Sequence, residues 1–204
     1  VLDVIFGYDE KGKDDSKKFN NGFSFRYITA LSYEIGNKFI EASEIIFVMA
    51  ASFFIPFLIG HPQLIVGIAV NILLIESALY LKDYKLAAPI IMPSIGALSR
   101  AVLFGAFTKY LVFMLPFIWM GNLIIISVIK LLNLFLKKNF LLAGFAGAIL
   151  KSCFLFSSAY VLFKFGLVPK LFLNAFGFTQ LITAAAAVLI VYPVFRLRNC
   201  KWKR

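Results

Sequence analysis

Acidic residues are scarce in this chain: ten Asp and Glu stand against 21 Lys and Arg over 204 residues, and only Glu76 and Asp83 lie beyond Glu44. The apolar part of the chain therefore offers no paired-carboxylate machinery for acid/base chemistry. Histidine is scarcer still, with His61 alone, which argues against a His-rich metal site. Cys153 and Cys200 stand far apart with no CxxC pair, so neither a disulfide framework nor a thiolate metal site is indicated. HExxH, GxSxG and a Gly-rich phosphate loop followed by Lys-Ser/Thr are all absent. The sequence reads as that of a non-enzyme, and nothing in it calls for a cofactor or a metal.

What the chain has in abundance is apolar sequence. Sixty-one per cent of its residues are hydrophobic, against roughly half in soluble domains, and the mean hydropathy is +0.89. Several runs approach the ~20 residues that cross a bilayer as helix. They are continuous, without the alternation and polar turns of a transmembrane barrel. The net charge of +11 would suggest nucleic acid in a soluble protein. Here the basic residues sit mostly between or after the apolar runs, where they set topology, and no nucleic-acid partner is expected. The expected fold is an all-α polytopic membrane protein of about six transmembrane helices, some kinked or broken, preceded by an amphipathic helix.

Residues 1–44 form a polar N-terminal segment, with KGKDDSKK in its middle and no apolar h-region before a small-residue cleavage site. The chain opens on Val1 rather than Met, as a fragment or processed chain would, and no function is assigned to this segment. Within it, Phe25, Ile28, Leu31, Ile35 and Phe39 recur at helical spacing, predicting an amphipathic helix over 24–42 that lies at the membrane interface or packs on a partner.

The transmembrane domain is expected over 45–195, with spans at about 45–59, 64–81, 86–107, 110–129, 140–163 and 171–195. Residues 196–204 read as a basic cytoplasmic tail. The stretch from Pro89 to Asn122 stands out, because prolines and glycines interrupt an apolar run that also carries Arg100 and Lys109. Freed backbone groups of this kind are tolerated where other helices or a wet cavity satisfy them, so a broken helix and a solute site near Arg100 are expected there.

Six spans put both termini on one side. Sixteen Lys and Arg fall on that side and four on the other, which predicts a cell-membrane protein with cytoplasmic termini. Ionisable residues within spans are costly and are functional candidates by default. Lys151 is halfway along the fifth span, too deep for easy escape to the surface. The Arg100 guanidinium suits a carboxylate or phosphate, with an interfacial anchor as the equal alternative. Glu76 is expected to snorkel or to pair with Lys82 or Lys85. Asn71, Asn122, Asn174 and Gln180 either bond between helices or line a pocket, and Trp119 serves as a packing aromatic or as one wall of a site.

HPQ at 61–63, VGIAVN at 66–71, PSIGAL at 93–98, LPFIWMGN at 115–122 and FTQLITA at 178–184, in that order, resemble the substrate-binding S components of energy-coupling factor (ECF) transporters. The resemblance covers about residues 45–195. It implies six helices, cytoplasmic termini, a solute pocket near the outer face, and docking onto a transmembrane coupling subunit driven by two ATPases. By location it makes His61, Gln63, Arg100, Trp119, Asn122, Lys151, Asn174 and Gln180 the candidate substrate-binding residues. Two features depart from the family pattern. The first span offers only Ala50, Ala51 and Ser52 where an AxxxA-type docking face is usual, and the loop after it is too short to form a long lid. The function expected is a membrane-embedded solute-binding subunit of an ECF-type importer for a small anionic or polar metabolite or vitamin. The alternatives are a non-transporting membrane scaffold and an autonomous secondary carrier.

Overall fold

The computed structural model describes residues 25–33, 38–59, 62–100 and 105–202, all of them helix or connecting turn with no strand. In order the helices are α1 (Phe25–Ala30), α2 (Lys38–Leu58), α3 (Gln63–Tyr80), α4 (Ala87–Arg100), α5 (Leu111–Ile129), α6 (Phe140–Lys164), α7 (Leu171–Phe176) and α8 (Phe178–Trp202). Tight 3-10 turns at Asp83–Leu86 and Gly105–Tyr110 lead into α4 and α5, and α5 runs on into a π-helical segment, Lys130–Phe135.

Among the described residues four stretches are long and apolar enough to cross a membrane, Gln63–Tyr80, Thr108–Phe135, Phe140–Lys164 and Leu171–Arg198, and Ala42–Leu58 is a shorter apolar helix. Bulky apolar side chains face outward along them, among them Phe47, Leu150 and Leu189. Helices with apolar residues on every face are those of a multi-pass membrane protein.

The helices pack as pairs, α2 on α4, α5 on α6, and α3 on α8, with α6 also against α8. Small residues allow the close crossings. A Cβ on Gly96 would overlap the Phe53 carbonyl oxygen, so only glycine lets α4 lie this close to α2. Leu74, Ile75 and Leu79 of α3 fill the centre with Ile125, Ile126 and Ile129 of α5 and Ala187 and Val188 of α8. Pro56, Pro93, Pro116 and Pro193 all lie within helices. Near Pro93 the Ile90 carbonyl is met by Asn122 Nδ2 of α5 at 2.9 Å, a side chain supplying what a distorted helix needs.

The structure departs from the sequence-based expectation in several places. The amphipathic helix expected over 24–42 is helical only from Phe25 to Ala30 before the chain leaves the helix at 31–33; residues 34–37 lie outside the described residues, and 38–42 open α2. The cause is a competing set of backbone partners. The Leu31 carbonyl accepts from Lys130 Nζ, and the Tyr33 N–H donates to the Leu79 carbonyl at 2.7 Å. Lys130, which opens the basic segment expected after the fourth span, is fully buried and also donates to the Leu81 carbonyl at 2.7 Å. Of the helix expected over 86–107, Ala87–Arg100 is helical, 101–104 lie outside the described residues, and Gly105 already belongs to a 3-10 turn. The span expected over 171–195 is broken at Gly177, whose backbone (φ −100°, ψ −98°) separates α7 from α8. The tail expected from 196 is helical as far as Trp202.

Lys130 thus holds the 31–33 strap against the end of α3. Lys130→Met would leave the two carbonyls without this donor, at a cost of about 1–3 kcal/mol each where they stay buried. The expected result is faster backbone hydrogen exchange around Tyr33 and Leu81 and a Tm lowered by several degrees. Unchanged exchange at both places would contradict the anchoring role.

Candidate functional site

Small and polar residues recur on one face of α6: Gly144, Gly147, Ala148, Lys151, Ser152 and Leu155 are spaced by three and four and are all buried. That periodicity turns Lys151 into the bundle and away from the lipid-facing side. On α3 the same logic buries Asn71, Leu74, Ile75 and Ala78 on one face. On α8 it buries Thr183, Ala184, Ala187 and Val188. The polar member of each face meets the others at one level. Gly67 permits this, because a Cβ there would stand 2.9 Å from Thr183 Cγ2.

Lys151 Nζ donates to Asn71 Oδ1 at 2.7 Å, Asn71 Nδ2 donates to Thr183 Oγ1 at 3.1 Å, and the Thr183 hydroxyl donates to the Gln180 carbonyl at 3.1 Å. The relay fixes the Asn71 amide with its oxygen toward the ammonium. Lys151 is only 2% exposed. An ammonium has three donors, and among the described residues Asn71 takes one and no carboxylate pairs with the charge.

Lys151 lines a half-open cleft enclosing about 690 Å³ of non-atom space, its mouth included. The lining draws on Pro56 of α2, Gln63 and Asn71 of α3, Ser94 of α4, Asn122 of α5, Lys151 of α6, Phe176 of α7 and Gln180 of α8. Most of the remaining wall is aliphatic, with Val66, Val70, Ile118 and Leu155. The cleft lies toward the end where α3, α5 and α8 begin and α4 ends.

Of the residues singled out in the sequence, Gln63, Asn71, Asn122, Lys151 and Gln180 come together on this lining. Trp119 stands one step behind it, donating from Nε1 to Ser94 Oγ at 2.7 Å. Asn174 is exposed on α7 and takes no part in the cleft. Arg100 closes α4, but its side chain lies outside what is described, as does His61 altogether. Ser94, Thr179 and Thr183 complete the polar lining and had not been singled out. Hydroxyls are common in apolar helices and usually bond their own backbone, as Ser52, Ser77 and Ser158 do here, so they carry little signal in sequence.

A second polar cluster occupies the opposite end of the bundle. Arg198 of α8 grips Glu44 of α2 through both oxygens at 3.0 and 2.8 Å, reaches Glu76 of α3 at 3.5 Å, and lies 4.0 Å over the Tyr80 ring. Glu76 thus finds Arg198, a partner distant in sequence, in place of the neighbouring Lys82 or Lys85 expected for it. This cluster ties three helices together and is separate from the cleft. Among the described residues no three His, Cys, Asp or Glu gather as a metal ion would need.

The Lys151–Asn71 contact is open to a double-mutant cycle. Asn71→Ala removes the one acceptor that the described residues offer a buried cation and is expected to destabilise the fold by about 1–3 kcal/mol. In a Lys151→Met background the same change should cost less, with a coupling of at least about 0.5 kcal/mol. Thermal unfolding of the four proteins in one detergent measures it, and additive effects would contradict a direct interaction.

Set against protein-family models, curated proteins and solved structures, the chain matches none of them.

Proposed function

We propose that the chain is a membrane-embedded solute-binding protein whose cleft receives a small polar or anionic metabolite. The observation that supports this reading most directly is Lys151, a buried cation with donors to spare on the wall of a cleft and no protein carboxylate beside it among the described residues. Taking a charge out of water costs several kcal/mol unless it is compensated. A solute that supplies the missing acceptors relieves that cost, and so binds. Gln63, Asn122 and Gln180 offer amides to orient it, and Trp119 stiffens the wall through Ser94.

In this proposal the chain crosses the membrane six times, through α2, α3, α4 with the turn after it, α5, α6, and α7 with α8. The basic majority places both termini in the cytoplasm, so the cleft faces the outer side. The chain carries no nucleotide-binding motif. Energy for import is therefore supplied in trans, in the manner of the coupling subunit and ATPases that serve ECF S components.

A scaffold reading draws on one specific observation: the chain from Lys151 through Asn71 to Thr183 also knits α6, α3 and α8 together. Native mass spectrometry of the protein purified in mild detergent separates the two. The binding reading predicts a defined small-molecule adduct that is absent from Lys151→Met, a variant whose apolar side chain fits a buried site. A bare mass in wild type across several growth media would favour the scaffold. Uptake by the purified chain alone in liposomes would instead favour an autonomous carrier.

A further inference from the structure

We infer that the solute bears a single negative charge on a compact head group and an otherwise uncharged, largely apolar body, the chemistry of a small monocarboxylate. This rests on the reading of the cleft as a solute site and adds the solute's charge and shape to it. Four observations converge on it.

Lys151 is the one charged side chain among the described residues that line the cleft. One buried cation balances one anion; a second negative charge would enter with no counter-charge on the described wall. The ammonium has two donors beyond the one held by Asn71, and the two oxygens of a carboxylate can accept both. Between the amides and hydroxyls of the lining the wall is aliphatic and aromatic, with Val66, Val70, Ile118, Leu155 and Phe176, a surface that a hydrocarbon body can fill.

The distribution of charge along the bundle points the same way. The carboxylates whose side chains are described, Glu44, Glu76 and Asp83, lie at the end away from the cleft, two of them engaged by Arg198 and the third next to Lys82 beyond the end of α3. At the cleft end the exposed charges are Lys109, Lys164 and Lys170. Charge of one sign gathered at one end raises the local concentration of the opposite sign there and repels its own. Anions are drawn toward the cleft, cations are not, and the single buried ammonium then selects among the anions.

The test is calorimetric titration of the full chain in lipid nanodiscs, against empty nanodiscs, with four probes of one length: hexanoate, hexanamide, adipate and hexylamine. Hexanoate is expected to bind at least about tenfold more tightly than each of the others, a difference of about 1.4 kcal/mol. That preference should vanish in Lys151→Met and persist in Lys151→Arg, which keeps the charge. Equal binding of hexanamide, or tighter binding of adipate or hexylamine, would overturn the inference while leaving the cleft as a binding site. Binding of none of the four also overturns it. A co-purifying adduct that depends on Lys151 would then keep the cleft as a site for another class of solute, and its absence would remove both readings.

Discussion

The constraint on which the rest depends is the burial of the Lys151 ammonium at the middle of an apolar bundle. A cation there has to be met by dipoles or by an anion, because lipid and aliphatic side chains offer neither. Among the described residues one amide oxygen meets it, that of Asn71, and Thr183 locks that amide. For those groups to meet, α3 must lie against α8 with no side chain between them, which Gly67 allows, and α6 must turn its small-residue face inward. The close helix contacts and the cleft are therefore two consequences of one arrangement: the backbones approach at the level of the network, and the space beside it is left to the cleft.

The two ends of the bundle are electrically unlike. At the end holding Glu44 and Glu76, Arg198 lies between the two carboxylates and over the Tyr80 ring, and Lys130 is spent on backbone carbonyls, so charge there is used to tie helices and the 31–33 strap together. At the cleft end the described charges are cationic and exposed, with Lys109 and Lys164 resting over the Tyr110 and Tyr160 rings. The separation lets one end carry structural cohesion while the other stays open.

Much of this was legible in the sequence, for identifiable reasons. A run such as Leu64–Leu81 can only be helix in lipid, and a lysine in the centre of a 24-residue apolar segment is conspicuous, so the helices and Lys151 stood out. Asn122 and Gln180 were visible as amides in apolar surroundings. What could not be read was long-range pairing: that Glu76 would find Arg198, or that Lys130 would turn inward, depends on which helices lie side by side. Asn174 misled for the same reason, because an amide near a span carries no sign of which way it faces, and this one is exposed. The stop at Ala30 comes from backbone partners that local sequence does not announce.

The central claim is that Lys151 is completed by something other than this chain. It is tested most directly by an experimental density map of the full protein, purified from cells into lipid nanodiscs without added ligand, inspected around Lys151 Nζ. The account predicts non-protein density within hydrogen-bonding distance of Nζ, beside the Asn71 oxygen and extending along the Val66 and Leu155 wall. A carboxylate from residues 1–24, or any other group of the chain, seated on Nζ in that place would contradict it and make the network a packing device.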